Sequence, residues 1–146
     1  ERLGWAFCDI DSEIEAEQGV TISSIFDTRG EDVFRQMETE AIRKRVRMIR
    51  SGTPAVVALG GGAFTRQQNC ELLEENGITI WLDCPLQLIQ KRLEGSTGRP
   101  LARDPKKFEL LYWTRRESYA RADYRIDISG DNPADAVDAV LALPLF

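Results

Sequence analysis

The stretch Ala55-Val56-Val57-Ala58-Leu59-Gly60-Gly61-Gly62-Ala63-Phe64 limits the fold more than any other part of the chain. A short apolar run ending in three glycines reads as a buried parallel strand that runs into a turn without side chains. Successive glycines let a backbone approach a ligand closely and offer it bare N–H groups. In an open α/β sheet, ligands bind at the carboxyl ends of the strands. On the glycines alone a plain strand-to-helix connection is equally admissible, so the rest of the chain has to decide.

Ala6 to Asp11 reads as a short strand ending in two carboxylates, Asp9 and Asp11, which alternation would point the same way. Helices are predicted over 12–18, from about 21 to Gly30, and from Glu31 and Asp32 to about Arg50. The last of these has acids in its first turn and arginines in its final one. Phe34, Met37, Ala41 and Met48, with Ile42, Val46 and Ile49 beside them, form its apolar face. Arg35 and Glu38, three residues apart, share a different face; the plain reading of such a pair is a surface salt bridge.

A helix over 65–75, a strand over 78–83 and a helix opened by Pro85 follow. Gly95-Ser96-Thr97-Gly98-Arg99-Pro100 reads as a mobile flap carrying one arginine, a lid at about 95–104. A helix from Asp104 and Pro105 to about Arg121 carries Arg115, Arg116 and Tyr119. A strand over 124–129 precedes a closing helix from Pro133, with alanine, valine and leucine on its buried side. No repeat or domain boundary interrupts residues 1–146, which are expected to form a single domain. Strands alternating with helices predict an α/β fold, a parallel sheet wrapped on both faces.

Composition narrows the function. A net charge of −5 argues against a general nucleic-acid binder. No apolar run approaches a membrane span, and no secretory pattern is present. With no histidine, zinc chemistry and Ser-His or Cys-His catalysis are excluded by inventory. Cys8, Cys70 and Cys84 lack metal-ligand spacing and read as reduced thiols of a cytoplasmic protein.

Four features point at one pocket: Asp9 with Asp11, Arg35 with Glu38, the glycine triplet, and Arg99 with Arg115. Paired carboxylates at a strand end can steer a divalent cation and orient a hydroxyl. Two arginines can clamp a carboxylate, each through a planar pair of hydrogen bonds. A flap arginine can close over a transferring phosphate and neutralise its charge. Together these describe phosphoryl transfer onto a small polyhydroxy acid.

The same residues carry a resemblance. Phe7-Cys8-Asp9-Ile10-Asp11, Ile25-Phe26, Gly30-Glu31, Phe34-Arg35, Glu38, Gly60-Gly61-Gly62-Ala63, Trp81-Leu82-Asp83, Gly98-Arg99-Pro100-Leu101, and Arg115 four residues before Tyr119 form an ordered series. Over essentially its whole length the chain resembles the shikimate kinase family. That resemblance implies a three-layer αβα fold of the P-loop kinase type. It also implies transfer of phosphate from ATP to shikimate, giving shikimate 3-phosphate on the way to chorismate and the aromatic amino acids.

By position, Asp9 is similar to the aspartate that helps hold Mg²⁺, largely through water. Asp11 is similar to the carboxylate that binds shikimate hydroxyls and assists deprotonation of the attacking one. Arg35 and Arg115 match the pair gripping the shikimate carboxylate, with Glu38 supporting Arg35. Gly60, Gly61 and Gly62 match the substrate-contacting glycines. Arg99 resembles the lid arginine that reaches the nucleotide phosphates, and Arg92 and Pro133 fall where the family sandwiches the adenine. The implied partners are shikimate and ATP, with no nucleic acid and no membrane, and the implied state is a monomer.

One element of the family pattern is not found. The phosphate-binding loop G-x-x-G-x-G-K-[ST] does not occur in these residues, and Gly60-Gly61-Gly62 is followed by Ala63-Phe64 rather than by Lys and Ser or Thr. The central first strand would accompany that loop, and without it two neighbouring strands lack a partner. The expectation is a natural start about 20–30 residues upstream, the length of a strand, loop and helix. The chain as written should not turn over ATP by itself. Two other readings fit parts of the pattern: a non-catalytic shikimate-binding module, and another small P-loop kinase such as a gluconate-type kinase.

Overall fold

Asp9 decides where the first strand stops. In the computed structural model, which describes residues 1–94 and 104–145, β1 covers Ala6–Asp9 and α1 follows at once over Ile10–Gln18. Asp9 Oδ1 accepts the backbone N–H groups of Asp11 (3.0 Å) and Ser12 (3.3 Å). That satisfies two of the orphan donors opening the helix. The strand was expected to reach Asp11 and the helix to begin at Ser12. Asp11 instead lies in the first helical turn, so strand alternation does not govern where it points.

Thr21 caps α2 (Ile22–Arg29) through its hydroxyl oxygen, which accepts Ser24 N–H at 3.1 Å. Gly30, at φ 85° and ψ 166°, then turns the chain directly into α3 (Glu31–Arg50). Phe34, Ala41, Ile42 and Val46 of α3 are buried against Ile10, Ile14, Ile22 and Ile25. Each large apolar side chain so buried stabilises the fold by about 1.5–3 kcal/mol. Met48, expected on that face, is 39% exposed, because the last turn of α3 runs past the core. Glu38 takes a buried position instead, at 0% exposure, so its pairing with Arg35 is no surface salt bridge.

β2 (Ala55–Ala58) lies parallel to β1, with Ala6 opposite Ala55 and Asp9 opposite Ala58. Both strands therefore release the chain at the same edge, Asp9 into α1 and Leu59 into the glycines. The helix expected over 65–75 is divided into a 3-10 turn (Ala63–Thr65) and α4 (Gln67–Glu74). β3 (Ile80–Asp83) and β4 (Tyr124–Asp127) form a second parallel pair. Between them run α5 (Leu86–Leu93), with Pro85 as its cap rather than its first residue, and α6 (Pro105–Tyr119). α7 (Pro133–Leu141) closes the order.

The strands are parallel, as expected, and fall into two two-stranded ribbons. Among the described residues no ladder joins β2 to β3, so each pairs on one side only. The core lies almost wholly between β1 and Ala63. α5, α6 and α7 bury no residue. The apolar side expected to be buried on α7 is only half-covered: Ala136, Ala139, Val140 and Leu141 are half-buried and Val137 is 43% exposed, with β4 as that helix's main neighbour. The flap at 95–104 lies outside the described residues apart from Asp104, which caps α6. Among the described residues no helix is long and apolar enough to cross a membrane.

Gly30 adopts a conformation open essentially to glycine alone, with nothing within 4 Å of where a β-carbon would sit. Gly30→Ala is therefore expected to destabilise the protein through backbone strain alone, by about 1–3 kcal/mol. The urea midpoint reports it, and an unchanged midpoint would refute the assignment.

Candidate active site

The glycines at the end of β2 are needed for space rather than for backbone freedom, since none of Gly60, Gly61 and Gly62 has a positive φ. A β-carbon on Gly60 would lie 3.0 Å from Asp11 Oδ1 and 3.1 Å from Oδ2. On Gly61 it would lie 2.8 Å from Arg115 Nη1 and 3.3 Å from the Tyr119 hydroxyl. On Gly62 it would collide with the guanidinium of Arg35, 2.5 Å from Cζ. Three consecutive residues thus face charged side chains delivered by α1, α6 and α3.

Buried polar contacts hold the turn from behind. Ala63 N–H donates to Gly60 O at 3.1 Å, and the Thr65 hydroxyl donates to Gly62 O at 2.7 Å. Asn69, fully buried on α4, donates from Nδ2 to Ala63 O (3.0 Å) and accepts the Thr39 hydroxyl of α3 at Oδ1 (2.9 Å). The Tyr119 hydroxyl donates to the Gly61 carbonyl. α3, α4 and α6 are thereby tied to the turn, which fixes the backbone at low entropy cost to any ligand.

The two arginines differ in their surroundings. Arg35 Nη1 donates to Glu38 Oε1 at 3.1 Å and Nη2 to Glu31 Oε1 at 3.2 Å, leaving its side chain 12% exposed. Burial pushes the Glu38 carboxyl above its usual range, although the Arg35 guanidinium pulls the other way. Glu38 Oε2 has no hydrogen-bond partner. Arg115 makes no ion pair among the described residues. Burial holds its guanidinium below the ordinary arginine range, and the neighbouring Arg35 charge adds to that. Burial also pushes the Tyr119 hydroxyl up, which keeps it protonated and donating. Two cations side by side, one without an acid, favour an anion between them.

Asp11, Arg35, Glu38, Arg115 and the three glycines therefore meet at one place. Asp9 stands beside them at the head of α1, one oxygen occupied by the cap. Arg92 lies apart, at the end of α5, where Nη2 donates to Gly130 O (3.3 Å) and Nε pairs with Asp131 (3.5 Å). Those contacts bring it to the turn that leads into Pro133, the first residue of α7. Arg99 lies outside the described residues. A surface groove of about 380 Å³ among α1, α2 and α3, lined by Arg29, Met37 and Lys44, includes none of these residues.

Several participants were missed from sequence as site residues. Glu31 stands four before Arg35 and Tyr119 four after Arg115, spacings that place each pair on one helical face. Thr39 and Asn69 carry no sequence signal, because their partnership spans 30 positions.

The family model of shikimate kinase matches residues 1–143. The shikimate kinase of Persephonella marina is 38% identical over 142 residues, covering 97% of this chain and 84% of that protein. That of Microcystis aeruginosa is 40% identical over 148 residues, covering 98% and 75%. Among solved structures, a shikimate kinase from Acinetobacter baumannii in complex with shikimate superposes with a TM-score of 0.91 at 34% identity, covering 99% of this chain and 80% of that one.

The raised Glu38 pKa makes stability depend on pH. Between the unfolded and folded values the native state binds more protons, so stability falls as pH rises through that window. Glu38→Gln removes this titration. The wild-type melting temperature is expected to decline relative to the variant's as pH rises above the ordinary glutamate range; parallel curves would contradict it.

Proposed function

The chain belongs to the shikimate kinase family, and from that membership we propose that its glycine turn is the seat on which shikimate receives a phosphoryl group from ATP. The family's enzymes are ATP-dependent phosphotransferases, and this protein is one of them. The observation carrying the site assignment is the side-chain-free turn facing Asp11, Arg35 and Arg115 together.

Arg115, which has no ion-pair partner among the described residues, and Arg35, anchored by Glu31 and Glu38, grip the substrate carboxylate. Backbone groups of Gly60, Gly61 and Gly62 meet the ring hydroxyls. Asp11 accepts a hydrogen bond from the attacking hydroxyl and takes its proton as the new O–P bond forms and the bond to the ADP leaving group breaks. Catalysis of this kind consists mostly of positioning and charge stabilisation. Arg99 at the lid reaches the phosphates, and Arg92 with Pro133 flanks the adenine. The whole acts as one domain with its lid at about 95–104.

Mg²⁺ fits Asp9 in a limited way. Asp9 Oδ1 is taken by the helix cap, its other oxygen carries no hydrogen bond, and no cluster of three possible ligands occurs among the described residues. A single water-mediated contact suits that donor set. When bound, the ion neutralises phosphate charge. A monomer suffices for this reading, since the acid-gripping residues meet within one chain. The buried thiols of Cys8 and Cys70 suit a reducing, cytoplasmic setting.

The test measures ADP release by the natural full-length protein with shikimate and with gluconate. Turnover with shikimate alone is expected; turnover with gluconate alone would replace the substrate assignment, and binding of shikimate without turnover would leave a binding module. Gly62→Ala, whose methyl evicts Arg35, is expected to raise the shikimate KM roughly tenfold with the ATP KM unchanged. Asp11→Asn should cut kcat about 100-fold in a folded protein; near-normal turnover removes Asp11 from the chemistry.

A further inference from the structure

α6 carries the substrate-gripping Arg115 yet buries none of its own residues. A helix without a buried apolar stripe has to be located by other contacts; on α6 these are the tilted packing of Tyr119 on Trp81, with ring centres 5.9 Å apart, and a set of polar contacts. Tyr112 donates to Cys84 O at 2.9 Å. Arg116 engages Asp83 with both arms, Nη1 to Oδ1 at 2.5 Å and Nη2 to Oδ2 at 3.0 Å, and Nη1 also reaches the Tyr112 hydroxyl at 3.0 Å. The Arg116 guanidinium lies 4.8 Å from the centre of the Trp81 ring.

Asp83 is a firm base for this contact. It ends β3 and is 7% exposed, and its Oδ2 holds a second guanidinium, that of Arg125, at 2.7 Å. Arg125 in turn stacks over Trp81 at 5.1 Å. A two-armed arginine–carboxylate pair fixes orientation as well as distance. Arg116 is the immediate neighbour of Arg115, and successive helical residues point about 100° apart. Arg116 therefore reaches the β3–β4 ribbon while Arg115 and Tyr119 face the glycine turn at the end of β2.

We propose that the Arg116–Asp83 pair is the positioning clamp that sets the rotation of α6 and thereby aims Arg115 at the substrate carboxylate. A rotation of roughly 20° about the helix axis would swing a guanidinium by about 2 Å, enough to spoil a two-pronged carboxylate contact. The clamp ties α6 to the end of β3, while Arg115 and Tyr119 of the same helix face the turn after β2. The inference rests on the reading of Arg115 as a carboxylate ligand.

The experiment compares Arg116→Lys, Asp83→Asn, Arg115→Ala and the double variant Asp83→Asn/Arg115→Ala in the full-length protein. Arg116→Lys keeps the charge and loses the fork, and it serves if Asp83→Asn folds poorly. Arg116→Lys and Asp83→Asn are each expected to raise the shikimate KM about tenfold, leaving the ATP KM near wild type. In the Arg115→Ala background, Asp83→Asn should add nothing to the shikimate KM, because there is no side chain left to aim. Unchanged shikimate KM in Arg116→Lys, or full additivity in the double variant, overturns the clamp while leaving Arg115 in its role. An unchanged KM in Arg115→Ala overturns the underlying reading, a pattern distinct from the first.

Discussion

Everything around the site depends on the absence of three adjacent β-carbons. Gly60, Gly61 and Gly62 let Asp11, Arg115 and Arg35 come close enough that a methyl group at any one position would press on its facing side chain, lightly at Gly60 and severely at Gly62. Close approach of polar side chains to bare backbone costs little only if the turn itself cannot drift. The Thr39–Asn69–Ala63 chain of hydrogen bonds supplies that rigidity from the buried side, and the Tyr119 hydroxyl supplies it from the open one. Strand, turn and helices therefore specify one another, since the turn has a defined shape only where α3, α4 and α6 meet it.

Charge is distributed around this turn unequally. Arg35 is held by two acids of its own helix, so it is oriented before any ligand arrives. Arg115 has no such acid and is held below its ordinary pKa range by burial. Under the proposed function, an incoming carboxylate would relieve the second arginine and align with the first, converting desolvation already incurred in folding into affinity for an anion. Glu38 bears the opposing cost as a carboxylate buried with one unpartnered oxygen. Unsatisfied polar groups of this kind belong at functional sites more often than elsewhere in a fold.

The two halves of the molecule are built on different principles. From β1 to the glycine turn, isoleucines, Phe34 and Val46 form a continuous apolar core. Beyond it, no residue of α5, α6 or α7 is fully buried in this way, and α6 is located by arginine, tyrosine and carboxylate contacts with β3 and the glycine turn. Directional contacts locate a helix more sharply than a sparse apolar seam does, but they fail abruptly when one partner is lost.

Local chemistry made much of this legible from sequence. Gly30 ends one helix and admits the next, acids and arginines mark the two ends of α3, and the apolar run before Gly60 announces a parallel strand. The candidate residues Asp11, Arg35, Glu38 and Arg115 came from spacing and from an ordered resemblance. Placement that depended on long-range packing was not legible. Asp9 caps a helix because the chain turns there, whereas strand alternation had suggested a longer strand. Met48 and Val137 are exposed because no neighbour among the described residues covers them, which periodicity alone cannot register. By itself the sequence determined the elements and the chemical kinds of group available, because those depend on residues a few positions apart. Tertiary structure alone decided that Arg35 and Glu38 form a buried pair, that Asn69 braces the glycine turn, and that Arg116 holds Asp83. Those contacts join residues that are distant in the chain or depend on which face is covered, and only the folded packing brings them together.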